Sequence, residues 1–158
     1  MKKIFIMLLL LMTYCLPTYA NEQEIVNGFQ TFVLNLVTPI EATYGKGYYN
    51  ILGDDGTYFK AHKVNFKYEC DIKKSDSVMF PYFGILEISN DINYSNYYKT
   101  KKEAERALDV KFTTHDIKRL IYKYNNGEWI EDKAYFYSSG HWHRAVNFSI
   151  GEFKCYND

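Results

Sequence analysis

Apolar residues first recur at helical spacing. Over 22–37, Ile25, Phe29, Phe32, Val33, Leu36 and Val37 follow one another at three- and four-residue steps, which places them on a single stripe. Glu22 and Glu24 fall in the first turn, where carboxylates suit the helix dipole. Gly28 weakens the helix interior. Pro39 predicts the helix end, because the residue before a proline resists helical conformation. The period then changes to two. Over 62–72, Val64, Phe66, Tyr68, Cys70 and Ile72 alternate with Lys63, Asn65, Lys67, Glu69 and Asp71. That pattern predicts a half-buried antiparallel strand with Cys70 on its apolar face. Over 78–88 both alternating sets are apolar, which predicts a strand buried on both faces, with Phe83, Ile85 and Leu86 in the core. Pro81 lacks a ladder donor and belongs at a strand start, a bulge or an edge.

The remaining segments complete an antiparallel series. A short strand is expected over 48–52, followed by a turn at Asp54-Asp55-Gly56. Residues 91–100 read as a third strand or a loop. Thr100 and Glu103 form a capping box for a short helix over 101–108, whose small apolar face is Ala104, Ala107 and Leu108. Asn125-Asn126-Gly127 joins apolar runs over 117–124 and 128–137, the pattern of a tight hairpin. Ser138-Ser139-Gly140 ends the second run, and 142–148 predicts another strand. The order implies an α+β fold, an N-terminal helix packed on a curved antiparallel sheet of about five to six strands. A cystatin-like or NTF2-like cone is the expected form, and a β-barrel is the alternative.

The N-terminus changes the domain count. Lys2 and Lys3 precede an apolar run over 4–12, Pro17 breaks it, and Thr18-Tyr19-Ala20 ends in a small residue. This reads as a signal peptide over 1–20, leaving a single exported domain over 21–158 in the periplasm or outside the cell. Without Lys2 and Lys3, the 19 basic and 19 acidic residues become 17 and 19. A net charge of −2 and the lack of a basic patch argue against nucleic acid as a partner. The short apolar run argues against stable membrane insertion after cleavage. Two cysteines remain after the cut, Cys70 and Cys155. In an oxidising compartment such a pair predicts a disulfide, with two buried free thiols as the alternative.

The run Asp71-Ile72-Lys73-Lys74-Ser75-Asp76-Ser77, followed by Pro81-Tyr82, resembles a motif of small secreted or periplasmic bacterial proteins to which no activity is assigned. Tyr122, Tyr124, Gly127 and Trp129 are similar to the hairpin that follows in those proteins. The resemblance spans about 60–137. It implies a compact exported domain and carries over no catalytic residue.

Candidate chemistry is sparse. His141 and His143 share a strand face and are the metal candidates, but a site needs a third ligand, and His62 and His115 are not placed nearby by the sequence. No metal or cofactor is therefore assigned. Asp54 and Asp55 lack the spaced oxygen ligands of a calcium loop. Asp71, Asp76, Glu87 and Asp91 could supply a carboxylate pair, which spacing alone cannot establish. There is no nucleophile elbow and no phosphate-binding glycine loop. The aromatic supply is large, with 16 tyrosines and 11 phenylalanines. Tyr44, Tyr48, Tyr49, Tyr94, Tyr97 and Tyr98 lie in weakly patterned segments and are the candidate interface residues. The expected function is a non-enzymatic module recognising another protein, inhibitor- or immunity-like. The alternatives are a small-ligand binder or minor enzyme using the concave face, and an envelope or virulence-associated factor.

Overall fold

The computed structural model describes residues 22–46, 48–145 and 150, with only the backbone of Tyr49. The expected signal peptide, Cys155 and the last residues of the strand expected over 142–148 lie outside them. The elements run α1 (Glu22–Glu41), β1 (Tyr49–Leu52), β2 (Tyr58–Lys74), β3 (Tyr82–Tyr94), α2 (Lys101–Arg106), β4 (Phe112–Asn125), β5 (Glu128–Ser138) and β6 (His141–Ala145). The six strands form one antiparallel sheet in the order β1-β2-β3-β4-β5-β6, so every strand pairs with its sequence neighbour. The sheet is curled and α1 packs on one face, an α+β arrangement.

The helical stripe does what its spacing predicts. Ile25, Phe29, Val33 and Val37 are buried, and Phe32 and Leu36 pack partly against the same core. Across from them lie Leu86, Ile88, Leu120 and Tyr122. Each large apolar side chain buried here contributes about 1.5–3 kcal/mol. Pro39, however, does not end the helix, which continues to Glu41. Ile40, only 1% exposed, anchors that last turn in the core. The proline cannot donate to the carbonyl one turn back, but the Thr38 hydroxyl donates to the Leu34 carbonyl at 2.8 Å beside it. Burial of one isoleucine thus offsets the local cost.

A bulge corrects the simple alternation expected for β2. Val64 pairs with Asp91, but Lys67 pairs with Ser89, so Asn65 and Phe66 together oppose Asn90. Asn65 takes φ 56°, a backbone region that asparagine tolerates better than most residues. The extra residue shifts the phase. Ala61 and Lys63 turn to the helix-bearing face before the bulge, and Phe66, Tyr68, Cys70 and Ile72 turn to it afterwards. Lys63 is therefore buried, contrary to the charged-face expectation, and Val64 falls on the opposite face from Phe66. Cys70 does lie on the helix-bearing face but is exposed, so the expected burial of this thiol is not met. Its expected partner, Cys155, lies outside the described residues.

β3 begins later and ends later than its pattern predicts. Pro81 precedes its first residue, and the Pro81 carbonyl accepts from Ser75 N–H at 2.9 Å. Val78 and Met79, expected in this strand, are 95% and 70% exposed in the preceding loop. Leu86 is fully buried, whereas Phe83 and Ile85 are half-buried on the opposite face. Asn126 and Gly127 take φ 50° and 89°, and Ser139 and Gly140 take 53° and 84°. Both two-residue turns therefore have the positive angles that match strand twist, which fixes the β4–β5 and β5–β6 hairpins.

In α2, the Thr100 hydroxyl accepts from Glu103 N–H while the Glu103 carboxylate accepts from Thr100 N–H. Ala104 and Ala107 are buried, but Leu108 is 95% exposed, against expectation, because the helix stops at Arg106. Thr100→Ala is expected to lower stability by about 1 kcal/mol, measurable by chemical denaturation. No helix among the described residues is long and apolar enough to cross a membrane.

Candidate functional site

α1 does not reach the end of the sheet. Its C-terminal side is fixed where Tyr44 packs on Phe66, with ring centroids 4.7 Å apart, and donates to Asn90 Oδ1 at 3.2 Å. Gly45 N–H then donates to the Lys63 carbonyl at 3.1 Å. The next cross-strand row is Ala61, Tyr94 and Phe112, on the same face. Beyond the last turn of α1 this row opens to solvent as an aromatic platform. Tyr94 stacks on Phe112 with centroids 4.7 Å apart and planes 17° from parallel. Phe59 meets Tyr94 at 5.9 Å and Tyr97 edge-on at 5.4 Å. Lys111 places its ammonium 4.4 Å from the Tyr97 ring centre. Phe112 remains 43% exposed and Tyr97 50% exposed.

The loop bearing Tyr97 is built rigidly. Asp109 Oδ2 accepts from Asn96 N–H and Asn96 Nδ2, each at 2.7 Å, and Oδ1 accepts from the Tyr98 hydroxyl. Tyr58 and Tyr98 exchange backbone hydrogen bonds of 2.7 Å, tying the loop to β2. Lys111 N–H donates to the Tyr94 carbonyl at 2.7 Å, tying it to β3. Lys60, whose ammonium lies 4.7 Å from the Tyr48 ring centre, donates to the Ala107 carbonyl at 2.6 Å just after α2. These bonds pre-order the platform, so a partner would meet aromatic rings that have already lost much of their freedom.

The Tyr98 hydrogen bond, more than the Asn96 donors, holds the Asp109 carboxyl below its ordinary value of 3.8. The same contact pushes the Tyr98 hydroxyl up. A depressed folded pKa means that the stabilisation is complete above the ordinary carboxylate value and is lost as pH falls through the lower folded value. Asp109→Asn is therefore expected to melt lower than the parent at neutral pH. The gap should close as pH falls below about 4, in melting curves collected across that range.

The structure disperses the six candidate tyrosines. Tyr94 and Tyr97 meet through Phe59, and Tyr98 holds the loop beneath them. Tyr48 lies against Lys60, on the opposite face of β2 from Phe59. Tyr44 is tied into the core junction, and the Tyr49 side chain is not described. Sequence reasoning missed Phe59 and Phe112, because their contribution depends on strand register. An aromatic residue at each end of a polar loop, Tyr94 before it and Phe112 after it, was the available signal.

The other candidates stay apart. His141 and His143 share a face of β6, where His143 stacks on Phe136 at 5.2 Å and its Nε2 lies 3.2 Å from the Ser138 carbonyl. No group of three metal-ligating side chains forms among the described residues. Glu87 is engaged by Arg119 at 2.7 and 3.0 Å. Asp91 accepts from Asn65 at 2.7 Å and faces His115 Nδ1 at 2.8 Å. Those two contacts, Asn65 first, hold its carboxyl below the ordinary range. Asp71 Oδ1 accepts from Ile72 N–H, and Asp76 is exposed in the turn before β3. Asp55 likewise accepts from Thr57, from its N–H at 3.0 Å and from its hydroxyl at 2.5 Å, as a turn residue does.

A groove of about 550 Å³ runs between α1 and the β4–β5 turn, lined by Ile25, Gly28, Phe32, Tyr124 and Trp129 among others. The centre of the helix-bearing face is occupied by Phe29, Val33 and Val37, packed on Leu86, Ile88 and Leu120. No protein-family model, no curated protein and no solved structure matches this chain.

Proposed function

We propose that this chain is an exported, non-enzymatic module that binds another protein, in the manner of an inhibitor or immunity protein, on a cystatin-like or NTF2-like cone. The observation that carries the reading is the ordered aromatic platform of Phe59, Tyr94, Tyr97 and Phe112 beyond the end of α1. Tyrosine and phenylalanine held rigidly at a surface supply contact area at small entropic cost, which is why such residues dominate binding energy at protein interfaces. The filled centre of the helix-bearing face supports an outer-surface mode of binding over a cavity mode.

The test compares the parent with Tyr97→Ser/Phe112→Ser and with Tyr137→Ser, an exposed aromatic of β5 on the opposite face of the sheet. The parent and the two variants are each used as bait in envelope extracts, followed by mass spectrometry and a direct titration of the protein recovered. The platform variant is expected to bind at least about tenfold more weakly, while Tyr137→Ser binds as the parent does. Equal retention of the same protein by all three baits overturns the reading.

A further inference from the structure

β2 carries strand partners along only part of its outer edge. β1 pairs with residues 58–61, and Gly45 N–H bonds the Lys63 carbonyl. Among the described residues no strand lies beside 64–74 on that side, although β3 pairs along the other side through to Lys74. Asn65, Lys67, Tyr68, Glu69, Cys70 and Asp71 are all exposed. An open edge of this length presents alternate backbone N–H and C=O groups outwards as a template for another strand.

The side chains along it are arranged about Tyr68. Phe66 and Cys70 flank it on the helix-bearing face, and Lys67 and Glu69 flank it on the opposite face. We propose that the open edge of β2 pairs antiparallel with the same edge of a second copy, about a two-fold axis at Tyr68. This register places Lys67 against Glu69 of the second copy, twice by symmetry, and Phe66 against Cys70 of the second copy. The regular stretch that follows the bulge supplies the ladder, 66–70 pairing with 70–66. The neighbouring registers that keep the two faces aligned are electrostatically worse. Centring on Glu69 opposes Lys67 with Asp71 but sets the Glu69 carboxylate against its own copy at the axis, a like-charge pair that the Tyr68 register lacks. Centring on Cys70 opposes Lys67 with Lys73 and Glu69 with Asp71. Opposite charges across a strand pair attract and like charges repel, so the charge pattern selects the Tyr68 register. The interface is isologous, as closed dimers require. It is separate from the aromatic platform and is tested on the purified protein alone.

The experiment is sedimentation velocity on the full chain, with K67E, E69K and the double variant K67E/E69K. The parent is expected to show a concentration-dependent monomer–dimer equilibrium. Either single variant opposes like charges at both symmetric positions and is expected to weaken dimerisation about tenfold. The double variant restores opposite charges and is expected to restore the dimer. Glu69 already faces Glu87 across β2–β3, so E69K relieves a repulsion within the fold and isolates the effect on assembly. A parent that stays monomeric up to about 1 mM overturns the proposal, as expected if the chain's own terminus or a different protein takes the edge. A dimer indifferent to the single charge reversals, or not restored by the double one, overturns it as well.

Discussion

Gly84→Val is expected to cost more stability than any other single addition of side-chain atoms in β3. A Cβ at Gly84 would lie 2.3 to 2.8 Å from three atoms of the Phe29 ring, closer than real contacts allow. The ring has nowhere to go. It is fully buried, with Trp129 at 4.5 Å, Tyr122 at 6.0 Å and Phe32 at 6.2 Å between centroids. Relief would need α1 to lift off the sheet or Phe29 to leave its rotamer, and both sacrifice packing along the whole helix stripe. Overpacking of this kind costs about 1–3 kcal/mol, occasionally more, and valine's branching sets it at the upper end. Chemical denaturation would show the midpoint moving down with little change in slope. A valine variant as stable as the parent would mean that the helix sits further from the sheet than described.

Phe29→Ala approaches the same contact from the other side. Removing a fully buried ring forfeits its transfer free energy and leaves a void between α1 and β3–β5, at a cost of about 3–5 kcal/mol. The void is the space that a side chain at Gly84 needs. Phe29→Ala combined with Gly84→Val should therefore be less destabilised than the sum of the single changes. The coupling should amount to about 1 kcal/mol or more, the range found for residues in direct contact. Additive losses in that double-mutant cycle would show that the two positions do not share one cavity.

The elements fixed by short-range chemistry were legible in the chain. α1 announced its core stripe through the spacing of Phe29, Val33 and Val37, and α2 announced its start through Thr100 and Glu103. The β4–β5 turn was readable because Asn126-Gly127 suits positive φ. What failed depended on pairing across strands. A single extra residue at Asn65 reversed which side of β2 faces the helix, so Lys63 went in although its neighbours in sequence implied the reverse. Val78 and Met79 look like strand residues, yet they lie before β3, because the β2 ladder ends at the Lys74–Tyr82 pair and leaves them no partner. Ile40 overruled Pro39 for the same kind of reason, since only the assembled core shows what the last helical turn gains. The candidate site was half visible. Tyr94 and Tyr97 stood out by composition, whereas Phe59 and Phe112 became their neighbours only through register.

The strictly sequential strand order also bears on the order of events in folding. Each strand pairs with its neighbour in the chain, and every connection except the β3–β4 one, which carries α2, is short, so the sheet can grow one strand at a time with modest loop-closure entropy. The helix is the exception. It is synthesised before every strand, yet Phe29 finds Tyr122 and Trp129 only after about a hundred further residues have been added. Until β4 and β5 exist, the stripe of Phe29, Val33 and Val37 has no complete surface to cover it. The period between making α1 and closing the β4–β5 hairpin is therefore when the nascent chain is most exposed to aggregation and to capture by chaperones.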